Sequence, residues 1–594
     1  MRVSQGQSLL LLGGNVNLDG SNLSVGSPQG GRLELAGVAE PGTVGLNTNG
    51  NILSLNFPDN LTRGNVSLTN AATLDTRAGN GGSIAINARN IDIISGSRLL
   101  AGIRSGSGTV ESQAGDVTLN ATGAIRIQGQ NSRVQNNVSS NATGNSGNIS
   151  ITSGLLSLRD GAELSASTFG QGNAGNVTVN ATDAVSLADA NIFSTVEAGG
   201  MGKGGNINVN AATLSLIDGA QLQTSTRQAS SNTQLPGRGD AGNVNVKVSG
   251  AVDIVGSRGT VSSGIRSQVG TGTVGNGGNI TIDSGSFSLQ NGAAISALTR
   301  GQGNAGTIKV NAADSFTISG SSSNLNSGLF VNSQSPTGTA GDIIVTSPRA
   351  TLDNGGRLSA QSASGNGGNI NLQTDLLLLR RGSQISTTAG TARSSGNGGN
   401  INIDAGFIVA LPQENSDISA NAFSGNGGTV TINAQGIFGI QSRQQPTPQS
   451  DITASSTGGG INGVVDINTL DIDPSRGFIN LPTNVVDTPS LVAQSCSAFG
   501  KGGSEFTVTG RGGLPPSPDD FLSSDVVWSD TRLTALPVEP NSRVTRSVRK
   551  TADGVAIAPA TGWVFDEKKG EVTLIAEDAS SEGVGSNQVK CIVP

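Results

Sequence analysis

The sequence predicts an all-β chain wound into a right-handed, single-stranded parallel β-helix, a solenoid that ends in a C-terminal cap and tail. Three observations predict this fold. A glycine-rich motif recurs along most of the 594 residues, and each copy is followed by alternating aliphatic residues. The chain contains 88 glycines but only 3% aromatic and 13% charged residues. Such a composition favours many short strands and turns over a globule with one bulky core.

The repeat is clearest in residues 275–282, which read GNGGNITI. Twelve copies place a glycine just before the strand, and successive copies lie 27 to 37 residues apart. A degenerate thirteenth copy is predicted at Gly463. This spacing predicts about twelve or thirteen coils of roughly thirty residues, because repeats of fixed period indicate a solenoid. The predicted structural turn glycines are Gly82, Gly115, Gly147, Gly175, Gly205, Gly242, Gly278, Gly306, Gly341, Gly368, Gly399 and Gly428.

Each repeat contains three strand patterns separated by three turns. The first strand alternates aliphatic and polar residues, as at Val177 and Val179, and therefore presents one apolar face. A second short strand follows, as at Leu214 and Leu216, and then a turn such as Asp218-Gly219-Ala220. A third strand completes the coil. The right-handed sense is expected from the general preference of parallel crossovers.

Gly and Asn are expected at the corners because both tolerate a positive φ. The variable repeat length is expected to come from loops at one corner. Five asparagines hold equivalent places before the first strand, and two interpretations stay open for them. Either they form a ladder of side-chain hydrogen bonds between coils, or they only fit the turn. They are Asn148, Asn176, Asn206, Asn243 and Asn279.

Three segments are predicted. Residues 1–60 carry shorter strands and form lead-in coils, and residues 61–470 form the regular β-helix. In residues 471–594 the repeat stops, prolines and charges increase, and a C-terminal cap and tail with a proline-rich linker is expected. The chain's two cysteines, Cys496 and Cys591, lie in this last segment. They form either one disulfide or two free thiols.

Composition argues against several classes of function. The net charge of -7 and the pI near 4.9 disfavour nucleic acid as a partner, because phosphate binding needs clustered cations. No apolar run approaches the length of a membrane span, so an integral membrane protein is not expected. Histidine is absent, and the acids lie singly, as at Asp160, Asp218, Asp253, Asp283 and Asp404. We therefore expect no enzyme, no cofactor and no metal site; isolated calcium sites at Asp116 or Asp342 are a minor alternative.

The chain resembles the filamentous-haemagglutinin-like exoproteins of two-partner secretion, in particular their cyanobacterial S-layer or haemagglutination-activity branch. The resemblance is carried by residues 12–16 (LGGNV), 30–35 (GGRLEL), 495–496 (SC) and 503–515 (GSEFTVTGRGGLP), together with the repeats between them. It implies secretion through an outer-membrane transporter partner and a place at the cell surface. It also implies adhesive or structural roles toward cells, glycans or matrix.

The sequence departs from that family at its start. Family members begin with a signal peptide and a secretion domain, and neither is seen here, so a truncated or degenerate form is expected. The leading hypothesis is a secreted or surface-associated adhesive β-helix without catalysis. Two alternatives stay open: a carbohydrate-active β-helix, that is a polysaccharide lyase or hydrolase, and a non-functional remnant.

Overall fold

A computed structural model describes residues 1–469, except 59, 232–233, 323–324, 336–337 and 392–393, and two later strands. The chain divides into two compact units, Met1–Leu481 and Pro482–Pro594. In the second unit the described residues form one antiparallel pair, Gly562–Asp566 with Glu571–Ile575. Cys496, Cys591 and the predicted proline-rich linker lie outside the described residues.

The first unit is a parallel β-solenoid, as the repeat predicts, with about 31 residues per coil. Each coil contributes strands to three rows, and the strands pair in parallel with their equivalents in the neighbouring coils. Gln441–Ser442 is an exception, because it pairs with Asp451–Thr453 only ten residues further along the chain. Seven long strands run through both the first and the second row. They are Ile149–Arg159, Val177–Ala188, Ile280–Gln290, Ile308–Ser319, Ile370–Leu379, Ile401–Ala410 and Thr429–Phe438.

The remaining strands of the first and second rows are shorter, and together with the long ones they form one 22-stranded sheet. Strands in the first row alone are Ser8–Gly13, Arg32–Gly37, Ser83–Ala88, Val117–Ala121, Ile207–Ala211, Val244–Val248, Ile343–Thr346 and Val464–Thr469. Strands in the second row alone are Val16–Asp19, Val66–Thr69, Ile91–Ile94, Ala124–Gln128, Thr213–Ile217, Ala251–Val255 and Arg349–Asp353.

The third row is a 16-stranded sheet, again with parallel pairing throughout. Its strands are Arg2–Val3, Asn22–Val25, Thr73–Asp75, Arg98–Ile103, Arg133–Val138, Glu163–Ser165, Asn191–Phe193, Gln221–Gln223, Gly264–Arg266, Ala294–Ser296, Gly328–Phe330, Arg357–Ser359, Gln384–Ser386, Asp417–Ser419, Gln441–Ser442 and Asp451–Thr453. A 3-10 helix, Pro412–Glu414, lies between the second and third rows of one coil. Among the described residues no helix is long and apolar enough to cross a membrane.

The core is made of aliphatic columns that run along the solenoid axis. Ile280 pairs with Val244 of the coil before and with Ile308 of the coil after, and all three are fully buried. Because strand residues alternate between faces, the period-two pattern sends one set of residues inward in every coil. The same aliphatic position recurs in each coil, so each aliphatic side chain packs on the equivalent side chains of the coils before and after. Two aromatic rings stack within this core: the ring centroids of Phe287 and Phe316 lie 5.2 Å apart, and the angle between the ring planes is 9°.

The turn between the second and third rows has the predicted chemistry. Asp218 and Gly219 both have positive φ, at 56° and 80°. Asp160 and Asn291 adopt the same left-handed conformation in their coils, at 58° and 55°. Asp and Asn tolerate this region better than other side chains, because their short polar groups bond locally.

Extra length enters at more than one corner, so the expectation of a single variable corner is wrong. Two antiparallel strand pairs lie between the second and third rows: Ser257–Arg258 with Val261–Ser262, and Ser321–Ser322 with Leu325–Asn326. A third insertion follows the third row, where the chain leaves at Arg227 and returns at Gly237, whose N–H donates to the Arg227 carbonyl. An insertion at a corner leaves the strand rows in register, which explains why either corner tolerates one.

The first coils carry a further hairpin, Gly45–Asn49 with Ile52–Asn56, inserted between the first and second rows. It covers the outer face of the first row, where Leu53 N–H donates to Ser8 Oγ at 2.8 Å. Beneath it Glu34 is 1% exposed and accepts from Arg32 Nε and from Leu55 N–H. The charge of Glu34 is thus buried with an ion pair and hydrogen bonds around it, as a buried carboxylate requires.

Candidate functional site

A long groove follows the outer surface at the corner where the first row passes into the second. It comprises two adjoining cavities of about 700 Å³ and 670 Å³ that share Asp283, Ser284 and Ala313. The groove begins at Thr152 and ends at Gln435. These ends lie nine coil steps apart, which at the usual strand spacing corresponds to roughly 43 Å. A groove of this length could bind a ligand that is an extended polymer.

Amide and carboxylate side chains line this groove at equivalent positions in successive coils. Asn210 Nδ2 donates to Asn180 Oδ1 at 2.8 Å. Further along, Asn311 donates to Asp283 at 2.6 Å, and Asn433 donates to Asp404 at 2.7 Å. Each pair has remaining donors and acceptors for a ligand. The groove therefore offers a repeated set of hydrogen-bonding groups that suits a hydroxyl-rich chain.

Two exposed aromatic rings stand beside one end of the groove. Phe407 follows Gly406, which lines the groove, and its ring stacks on Phe438 with centroids 6.4 Å apart at 28°. Phe407 is 43% exposed and Phe438 is 56% exposed. Exposed aromatic faces are costly in water and are typical of binding surfaces. A sugar ring presents an apolar face of matching size.

No family model, no curated protein and no solved structure matches this chain.

The predicted turn glycines stack directly on one another along the solenoid. A methyl group added at Gly278 would lie 2.1 Å from the Gly242 carbonyl oxygen, and one at Gly399 would lie 1.8 Å from that of Gly368. Such distances exclude any side chain. Of the twelve, Gly82 alone has a positive φ, so the expected conformational reason is wrong for the other eleven. Close approach between coils is the reason that glycine is needed there.

The five predicted asparagines also lie one above another, and their side chains bridge the coils. Asn176 N–H donates to Asn148 Oδ1 at 3.0 Å, and Asn279 N–H donates to Asn243 Oδ1 at 2.8 Å. Asn206 continues the series in between. In each of these bonds a backbone N–H donates to a side-chain oxygen, rather than one side-chain amide donating to another. Each one satisfies a backbone donor at a corner where no strand partner exists.

A second asparagine ladder was missed by sequence reasoning. It lies three residues earlier, where Asn173 N–H donates to Asn145 Oδ1 and Asn304 N–H donates to Asn276 Oδ1, both at 3.0 Å. The signal was present in the motif GNGGN, which carries two asparagines, and only the second was singled out. The first has the same geometry because its side-chain oxygen likewise accepts from the backbone N–H of the equivalent residue in the next coil.

Acidic residues take part in these ladders as well. Asp116 Oδ1 accepts from both the backbone and the side chain of Asn148, and Asp342 Oδ1 does the same with Asn369. Among the described residues no group of three or more His, Cys, Asp or Glu side chains is placed to hold a metal ion. Asp160, Asp218 and Asp253 lie apart from the groove, whereas Asp283 and Asp404 line it.

Sequence reasoning also missed Asp375, which lines the same cavity as Asp404. The two lie in adjacent coils, with Asp404 paired to Gln373 two residues before Asp375. Asp375 is therefore one strand across from Asp404 and two residues along. The usual strand separation and rise per residue then place their backbones about 8 Å apart. No single-sequence signal marks this pair, because the two acids fall at different positions of the repeat.

Proposed function

We propose that this chain is an adhesive surface protein that binds extended glycans along the groove without chemically altering them. The groove itself carries the proposal. It is long, open and lined by repeated amides, which fits the recognition of many similar sugar units by many weak contacts. The resemblance to filamentous-haemagglutinin-like exoproteins supports the same reading, and it also supports secretion by an outer-membrane transporter partner and a surface location.

The experiment is binding of the full chain to a panel of neutral and charged polysaccharides, measured by calorimetry. Ala313 is exposed and lines both cavities, so Ala313→Trp fills the middle of the groove without entering the core. We expect about tenfold weaker binding, because the obstruction removes contacts over several coils. Ala39→Trp, at an exposed alanine outside both cavities, is the matched control. Equal affinity of Ala313→Trp and the unaltered chain would refute the groove as the binding site.

A carbohydrate-active β-helix is the second candidate, and one observation favours it. Asp375 and Asp404 line the same cavity, and glycoside hydrolysis uses a pair of acidic side chains that flank the scissile bond. The same polysaccharide panel is therefore followed for chain cleavage. Cleavage that disappears in Asp404→Asn would establish catalysis and overturn the non-catalytic proposal. Binding without cleavage would support adhesion.

A further inference from the structure

Three arginines of adjacent coils lie close together at the third row. Arg266 ends the strand Gly264–Arg266, and its neighbours across the coils are Gln223 and Ser296. Just after the third row, parallel bridges join three inward residues of adjacent coils, Thr226, Val269 and Thr299. Arg227 follows Thr226 in the coil before, and Arg300 follows Thr299 in the coil after. The residue of the middle coil in the same position is Gly270. A Cβ atom at Gly270 would lie 2.6 Å from the Gln228 backbone nitrogen, so this position holds no side chain between the two outer arginines.

The cluster carries more positive than negative charge. Arg227 Nε lies 3.1 Å from Glu197 Oε1, and its guanidinium lies over the Phe193 ring at 5.0 Å. Arg300 Nε donates to the neutral Gln334 Oε1 at 3.2 Å. Glu197 is the sole carboxylate among the described residues that line the two cavities here. Three cations against one anion form a basic patch on a chain whose net charge is -7.

Arg266 is the least satisfied member of this cluster. One of its terminal nitrogens donates to the Ser262 carbonyl at 3.3 Å, whereas its Nε is buried without an acceptor among the described residues. Burial, together with the nearby charges of Arg300 and Arg227, lowers the pKa of Arg266 to about 10. A buried donor without an acceptor is costly, and so is a charge without a counter-charge. An anion placed beside Arg266 would remove both costs.

Cavities of about 500 Å³ and 350 Å³ adjoin the cluster, and both are lined by Gln268 and Arg300. Phe169 lines the larger cavity and Phe330 the smaller one. Arginine guanidinium groups recognise carboxylate and sulfate oxygens through paired hydrogen bonds. Glutamine amides and aromatic faces suit the hydroxyls and the apolar face of a sugar.

We propose that Arg227, Arg266 and Arg300 bind an anionic group, a uronate carboxylate or a sulfate, of an acidic polysaccharide. The site is separate from the groove, so it does not depend on the groove binding glycans. Nucleic acid fits less well, because its closely spaced phosphates would meet a short patch on an acidic chain.

The experiment measures binding of the full chain to polygalacturonate, dextran sulfate, neutral dextran and duplex DNA at fixed salt. Binding to polygalacturonate identifies a carboxylate and binding to dextran sulfate identifies a sulfate. We expect Arg266→Gln and Arg300→Gln each to weaken that binding about tenfold or more, since each removes a charged hydrogen bond. Arg300 is exposed, so its variant tests the site even if Arg266→Gln perturbs folding.

The matched control is Arg349→Gln, an exposed arginine in the second row that makes the same change in net charge. Equal weakening by this control would show unspecific charge attraction and overturn the site. The site is also overturned if neither acidic polymer binds more tightly than neutral dextran, or if DNA binds as tightly as they do. Ala313→Trp leaves the three arginines unaltered and is expected to keep the preference for the acidic polymer over neutral dextran, which separates failure of the groove from failure of the arginine site.

Discussion

Two regions of the solenoid differ in how far their residues repeat from coil to coil. One is the corner of glycines and asparagines before the first row, and the other is the arginine cluster at the third row. At the corner, Gly242, Gly278 and Gly306 repeat in every coil, and each leaves no room for a side chain. In the cluster, Arg266 occupies a position that holds Gln223 in one neighbouring coil and Ser296 in the other. The glycine recurs along the axis because the close stacking of the coils demands it. The cluster is local because the outer face is free to vary.

This difference separates stability from recognition. A position that contacts its own equivalents above and below is constrained by the fold. A position that faces solvent is constrained only by what it binds. Substitutions in the two regions should therefore act on different measurements, and three predictions test this.

The largest effect on stability is expected at the glycine column. Gly278→Ala would place a methyl group 2.1 Å from the Gly242 carbonyl oxygen and 2.9 Å from Ser267 Oγ. We expect a loss of about 1–3 kcal/mol or more in the free energy of unfolding, because overpacked sites force the backbone to shift. The loss is measured as a lower denaturant midpoint and melting temperature.

Gly14→Ala is the control for this change, because a methyl group there would have its nearest contact at 4.0 Å, to the Val38 carbonyl oxygen. Its melting temperature should stay close to that of the unaltered chain. If both variants melted alike, close approach between coils would not be the reason for glycine at Gly278.

An opposite effect on stability is expected at the arginine cluster. Arg266→Met keeps most of the side-chain volume and removes a buried charge without a partner anion. We expect a gain of about 1 kcal/mol in the free energy of unfolding, since apolar replacement of a buried charge is often stabilising. Binding of acidic polysaccharide should fall in the same variant. A lower melting temperature would instead show that Arg266 serves the fold.

The smallest effect is expected in the asparagine ladder. Asn243→Ala removes the acceptor of the Asn279 N–H, and we expect a loss of about 0.5–1.5 kcal/mol or less, because water can replace a partner at an exposed corner. Asn243→Asp keeps the oxygen, as Asp116 and Asp342 do naturally, and should be nearly neutral. Hydrogen exchange of the Asn279 amide compares the two. Faster exchange in both variants, or in neither, would contradict the ladder.

Most of the fold was predictable from the sequence, and the reason is the repetition itself. Positions such as Ile280 and Ile282 show the period of a strand, and twelve copies of the motif show that these strands stack. The Asp218-Gly219 turn was predictable because its residue types are those that left-handed backbone requires. The corners that take insertions were not predictable, since a longer repeat does not say where its extra residues leave the coil.

The candidate sites were less accessible to sequence reasoning. Asp375 and Asp404 lie 29 residues apart at different positions of the repeat, and only the register of adjacent coils brings them into one cavity. Arg227, Arg266 and Arg300 are separated by 39 and 34 residues, and nothing in their local sequence marks them as neighbours. The second asparagine ladder had a signal in the motif, but its partners were visible only once the coils were stacked.

Local pattern and repeat spacing encode the solenoid, its three strands per coil and the aliphatic columns of its core, because each of these is a periodic property. Which outward-facing side chains meet is settled only when the coils stack. Those contacts depend on the register in which adjacent coils stack, because the register fixes the neighbours of each outward-facing residue. The groove and the arginine cluster both depend on that register.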